Sequence, residues 1–240
     1  GMPTVMDFRV LTIFPDLFDA FWKHGMIRRA IDQGRITAAA MDIRDHAEGR
    51  HRVTDDRPYG GGAGMVMKPE PLSRAIGQAR RQCPDALTVL LTPQGRALNQ
   101  AAARQLAEVD GLILVCGRYE GVDERVLQAG VDLEMSVGDY VLTGGEVAAM
   151  IVIDAVTRLI PGVLGGADSA EKESFSDRLL EHGQYTRPPE FHGEAVPEVL
   201  LSGHHGAIEQ WRRETALIQT LLKRPDLLKD RPLDRRDVDV

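Results

Sequence analysis

Residues 111–146, GLILVCGRYEGVDERVLQAGVDLEMSVGDYVLTGGE, decide the fold. The apolar run Leu112 to Cys116 is short, continuous and bounded by glycine on both sides, the pattern of a buried strand. That strand delivers Gly117, Arg118, Tyr119, Glu120 and Gly121 into a loop. A second apolar piece, Val131 to Met135, runs into the loop Ser136 to Tyr140, and Gly144-Gly145 then open a long apolar helix. Ligands of α/β proteins bind where strand ends present such loops, so chemistry is expected here.

Upstream, residues 5–13 read as a strand stopped by Pro15, and residues 17–31 repeat apolar side chains at three and four, predicting one helix that Gly34 ends. Ile36 to Ile43 is a second strand. Residues 44–64 have no usable period and carry Arg44, His46, Arg50, His51, Arg52, Arg57 and Tyr59 before a glycine run; so long a polar loop in a compact domain is usually functional or disordered. Residues 69–82 predict a helix, 87–91 a strand ending in the turn Thr92-Pro93-Gln94-Gly95, and 99–109 an alanine-rich helix. Strands alternating with helices predict a parallel sheet covered on both faces.

Downstream, the helix over 147–160 is apolar on most faces, yet Glu146, Asp154 and Arg158 share a stripe at spacings of four, and a polar side on a buried helix needs a reason. Residues 161–170 are glycine-rich and read as a linker. Residues 175–201 carry three prolines and predict irregular structure, followed by an amphipathic helix over 207–222. Eight Lys or Arg stand against four acids in 212–236, a local basic excess.

Composition is that of a globular protein, 43% hydrophobic and 27% charged over 240 residues. A formal net charge of −7 argues against nucleic acid as a whole-chain partner, unless basic residues cluster. Cys83 and Cys116 form no metal motif and read as structural thiols of a reduced, cytoplasmic protein. Neither a leader pattern nor a run of about 18 apolar residues occurs, so membrane spanning is not expected. The absence of G-x-G-x-x-G and of G-x-x-x-x-G-K-[ST] argues against dinucleotide and P-loop sites.

The motifs GRYEGVDERV, VGDYVLTGGE and IPGVLG, with LTIFPDLF at 11–18, RHRVTDDRPYGGGAGMVMKPEPL at 50–72, LTPQGR at 91–96, YTRPPE at 185–190 and VLLSGHH at 199–205, resemble the bacterial tRNA (guanine-N1)-methyltransferases over nearly the whole chain. These belong to the SPOUT, or trefoil-knot, class. The resemblance implies a SPOUT-like α/β domain over 2–161 with a parallel sheet and a deep trefoil knot at its carboxyl end. A linker over 162–175 and a small, mainly helical tRNA-binding domain over 176–240 would follow.

The same resemblance implies S-adenosylmethionine in a pocket of Pro93, Gly95, Gly117, Tyr119, Gly121, Val137, Gly138, Asp139, Tyr140, Val141, Leu142 and Gly144. Methylating guanine N1 requires a base for the N1 proton and a cation for the charge that spreads to O6. The family puts Arg158 at O6 and the base at Glu173, where the usual residue is aspartate; Asp168, Glu171 and Asp177 are nearby alternatives. Glu120 lies near the methionine moiety in the family, and Glu120 and Glu173, with Glu181, would furnish oxygen ligands for Mg2+. The implied target is the guanine 3′ of the anticodon, position 37 of tRNA. His51, Arg52, Arg57 and Tyr59 would contact it, the basic tail would hold phosphates, and the working form would be a homodimer; neither DNA nor membrane is expected as a partner. Rival readings keep the fold but methylate another RNA position such as a ribose 2′-hydroxyl, or keep the pocket in a non-enzymatic RNA-binding protein.

Overall fold

The computed structural model describes residues 4–118, 120–165 and 173–229, with 231, 232, 234, 235 and 237. The first strand, Met6–Thr12 (β1), gives way at Pro15 to a short 3-10 turn, Pro15–Phe18. The single helix expected over 17–31 is instead two, Asp19–Lys23 (α1) and Gly25–Asp32 (α2). His24 is extended and Gly25 sits at φ +62°, a conformation that stops one helix and re-aims the next, whose Ile27 and Ala30 reach the core. Ile36–Asp42 (β2) follows.

The polar segment after β2 is more ordered than its composition predicts. Within or beside it, Asp55–Asp56 (β3) and Val66–Met67 (β4) form a small antiparallel ladder. Pro69–Gln82 (α3) starts with proline at its first position, where no N–H is needed. Leu87–Ala97 (β5), Gln100–Leu106 (α4), Gly111–Cys116 (β6), Glu124–Gly130 (α5), Leu133–Ser136 (β7) and Glu146–Thr157 (α6) complete this part. Asn99 and Asp123 cap α4 and α5 by accepting Ala102 N–H and Arg125 N–H.

The five longer strands make one parallel sheet in the order β2-β1-β6-β5-β7. The apolar run that predicted a buried strand is its centre: all six residues of β6 are buried. Leu112, Leu114 and Cys116 join a core beneath α2 and α6 with Ile27, Val152 and Val156. Ile113 and Val115 join the opposite core beneath α3 and α5 with Leu72, Ile76 and Val126. A strand covered on both faces has no polar side, which is why its sequence shows no alternation.

The chain divides into two compact units, Gly1–Gly165 and Gly166–Val240. In the second, Glu190–Phe191 (β8) and Glu194–Ala195 (β9) form a hairpin, followed by Glu198–Leu201 (α7) and His205–Lys223 (α8). Three of the eight basic residues counted over 212–236 pair with aspartates inside this unit. Arg231 binds Asp177 at 2.8 Å and Asp237 at 2.7 Å, Arg213 binds Asp237 at 2.7 Å, and Arg224 binds Asp226 at 2.7 Å. Asp177 and Asp237 lie outside the counted window, so a local tally could not balance them.

Candidate functional site

Three strand-end loops meet in the first unit. The strand expected to stop at Leu91 leaves the sheet over 92–95 and rejoins it: both Leu91 and Arg96 pair with Met135 of β7. Thr92, Pro93 and Gln94 are pushed towards the loop after β6 and the loop after β7, and together these enclose a cavity of about 430 Å3. Its walls mix apolar Leu91, Met135, Val137 and Leu142 with Arg118, Glu120 and the backbone of Gly117, Gly121, Gly138 and Gly144. That size and that mixture of apolar wall and few polar groups suit a ligand site.

Two glycines make the convergence sterically allowed. A Cβ on Gly95 would fall 2.3 Å from the Met135 backbone nitrogen, and one on Gly145 would fall 2.9 Å from Cys116 Cα. Neither backbone contact can yield without moving a strand. Gly145 N–H also donates to Gly117 O at 2.9 Å, tying the start of α6 to the end of β6. The third loop is braced internally: Ser136 Oγ accepts Gly138 N–H at 3.2 Å, and Tyr140 Oη donates to Val137 O at 3.2 Å. The 65–67 segment stitches onto the middle loop, with Glu120 N–H donating to Met65 O and Met67 N–H to Gly121 O, each at 2.9 Å.

Of the expected cofactor residues, Pro93, Gly117, Gly121, Val137, Gly138, Tyr140, Val141, Leu142 and Gly144 line the cavity. Gly95 and Asp139 do not; Gly95 instead lets its backbone lie close against that of Met135. Tyr119, Asp168 and Glu171 lie outside the described residues. Glu120 lines the cavity, whereas Arg158 closes α6 away from the lining, its N–H donating to Asp154 O, and Glu173 belongs to the second unit. His51, Arg57 and Tyr59 are exposed, Tyr59 completely. Arg52 is held within its own loop by Arg44 O, Asp45 and Asp42.

The polar stripe on α6 finds its reason in Glu146, which is 1% exposed. Its carboxylate accepts Thr12 Oγ1 at 2.9 Å and Arg118 Nε at 3.2 and 3.3 Å. This group was missed because Thr12 lies 134 residues away in the chain. Burial, with the Glu146 carboxylate beside it, pushes the Cys116 thiol well above its ordinary range, and burial also raises Cys83, so both stay protonated and structural. Among the described residues no group of three or more His, Cys, Asp or Glu side chains could hold a metal ion. Of the residues expected at Mg2+, Glu120 is in the first unit and Glu173 and Glu181 are in the second.

A parallel sheet whose carboxyl-end loops enclose one cavity defines an α/β ligand-binding protein. Within that class, a family model described as tRNA (Guanine-1)-methyltransferase TrmD matches residues 6–230. A relative from Desulfatibacillum aliphaticivorans is 55% identical over 98% of this chain and 90% of its own. Others from Anaeromyxobacter sp. (strain K), 57% identical over 95% of this chain and 93% of its own, and Geobacter sulfurreducens, 55% over 98% and 96%, are similar to it. All three are named tRNA (guanine-N(1)-)-methyltransferase. The chain belongs to the tRNA (guanine-N1)-methyltransferase family, whose fold is of the SPOUT type.

Proposed function

We propose that this protein moves a methyl group from S-adenosylmethionine to N1 of the guanine 3′ of the anticodon, position 37 of tRNA. One observation carries the reading: in a chain of this family, the loops 92–94, 117–121 and 136–145 converge on a single cavity of about 430 Å3. The residues present fit the donor. Apolar Leu91, Met135 and Leu142 suit an adenosyl group, and backbone bare of side chains at Gly117, Gly138 and Gly144 allows close approach. When bound, the donor supplies a methyl group activated by its sulfonium. A deep trefoil knot threaded through these loops belongs to the same reading, which the departure of residues 92–95 from the sheet and the close backbone approach at Gly95 support.

The chain's own work is to hold N1 in line, remove its proton and steady O6. Arg158 is assigned to O6, where a fixed cation lowers the energy of the developing charge. Glu173 is assigned as base, a role worth about 10²–10⁴-fold in rate for a positioned group. Glu120, in the cavity, is assigned to the donor's methionine end. Exposed Tyr59, with His51 and Arg57, suits an unstacked loop base and its phosphates. The working form is a cytoplasmic homodimer; Val141, Val147 and Ile151, 86%, 57% and 39% exposed, supply an apolar face for it.

Incubating unmodified tRNA with the protein and methyl-labelled donor, then resolving nucleosides by mass spectrometry, tests this. 1-Methylguanosine is expected, and Arg158→Ala should abolish it while sparing donor affinity. Label appearing only as a 2′-O-methylnucleoside would move the activity to a ribose, and no transfer with retained tRNA affinity would leave a binding protein.

A further inference from the structure

Arg118 lines the cavity. Its guanidinium is fixed from behind by two side chains, Glu146 and Phe14. Nε donates to both Glu146 oxygens at 3.2 and 3.3 Å, and Cζ lies 4.6 Å over the Phe14 ring. Glu146 is in turn held by Thr12 Oγ1, which also accepts Phe14 N–H at 2.9 Å. The backbone of Arg118 bridges to Gly144 at the start of α6. So much bracing for a side chain that is 22% exposed commits only Nε to protein; among the described residues neither Nη finds an acceptor. Four N–H donors on a planar, always charged group are left for a ligand, the geometry that selects a carboxylate.

We infer that Arg118 is the carboxylate-recognising group of this cavity and takes the α-carboxylate at the amino-acid end of the donor, with Glu146, Thr12 and Phe14 as its positioning residues. Glu120, two residues along the same loop and also on the cavity wall, carries the opposite charge, so the pair matches an α-amino acid zwitterion. The inference rests on the cavity being the donor site proposed above.

Titration calorimetry of the full chain with S-adenosylhomocysteine and with 5′-methylthioadenosine, which shares the nucleoside and thioether but lacks the whole amino-acid end, carboxylate and ammonium alike, tests it. Wild type should prefer S-adenosylhomocysteine, and Arg118→Lys should weaken that compound by about 10- to 100-fold while leaving 5′-methylthioadenosine unchanged. Glu146→Gln should lower the same ratio by a smaller factor, because it loosens the brace without removing the fork. Where loss of Arg118 unfolds the chain by stranding a buried carboxylate, the double variant Arg118→Gln/Glu146→Gln removes both charges and gives the same readout, with a melting curve as control. Equal weakening of both compounds, or an unchanged ratio in a folded variant, overturns the assignment while leaving the donor site standing. Wild type that binds neither compound removes both. Weakened tRNA affinity with unchanged S-adenosylhomocysteine affinity reassigns Arg118 to a phosphate.

Discussion

A single methyl group at position 95 would land 2.3 Å from the amide nitrogen of Met135, with carbonyl carbons of Glu134 and Met135 also inside 2.7 Å. Because those atoms belong to a sheet strand, the strain has nowhere to relax, and Gly95→Ala should lower stability by about 1–3 kcal/mol in chemical denaturation. Gly206, the second residue of α8, is the control: no heavy atom lies within 4 Å of its Cβ position and its φ is ordinary, so Gly206→Ala should be neutral or stabilise by up to about 1 kcal/mol. If the two substitutions behaved alike, the close backbone approach would not exist. Glu146 makes a second demand at this scale. Thr12→Val deletes the hydroxyl that donates to its buried carboxylate and should lower the melting midpoint by an amount equivalent to about 1–3 kcal/mol. LTPQGR is visible in the chain as a turn after a strand, but that Gly95 lies close against another backbone is not, since a turn and a close approach both ask for glycine.

At the scale of elements, α6 faces three ways. Its first residue supplies the buried carboxylate, Val152, Ile153 and Val156 fill the core, and Val147 and Ile151 look outward with 57% and 39% of their surface open. The apolar composition of 147–160 announces a buried helix, and it hides which apolar residues are left uncovered in one chain. Under the dimer reading, Ile151→Arg places a charge on that face and should convert the protein to monomer in sedimentation velocity, without changing its circular dichroism. A variant that sediments as wild type would move the interface elsewhere. The helix expected over 17–31 shows the opposite limit. Its apolar repeat is real, but His24-Gly25 breaks it, because the three-and-four rhythm continues across a change of direction that periodicity cannot register.

For the whole molecule, the two units carry separate reporters, Trp22 packed on Phe18 in the first and Trp211 between His182 and Tyr185 in the second. The second unit is held partly by charge. Burial alone would push the Asp237 carboxyl up, yet hydrogen bonds from Arg231, from the Asp234 N–H and from Arg213 outweigh it and bring it down to about 2. An unfolded aspartate titrates near 3.9, so this pairing contributes fully above about pH 4 and is lost as pH falls towards 2. Its weight is about 2–3 kcal/mol by linkage. In a Trp22→Phe background, Trp211 fluorescence should report loss of the second unit's stability between pH 4 and 2. Asp237→Asn should be less stable than its parent at pH 7, with the difference vanishing by pH 2; a constant difference would deny the ion-pair origin.

What the sequence determined by itself is local and periodic. Continuous apolar runs became the inner strands, the alternation of strands with helices became the covered parallel sheet, and the motifs from LTIFPDLF to VLLSGHH carry the family resemblance. Tertiary structure alone decided that residues 92–95 leave the sheet and return, that Glu146 answers Thr12 and Arg118, and that Asp177 and Asp237 neutralise Arg213 and Arg231. The physical reason is range. Hydrophobic periodicity is imposed by a residue's own backbone, whereas a buried charge is satisfied by whichever partner the fold brings within hydrogen-bond distance, however far along the chain it lies.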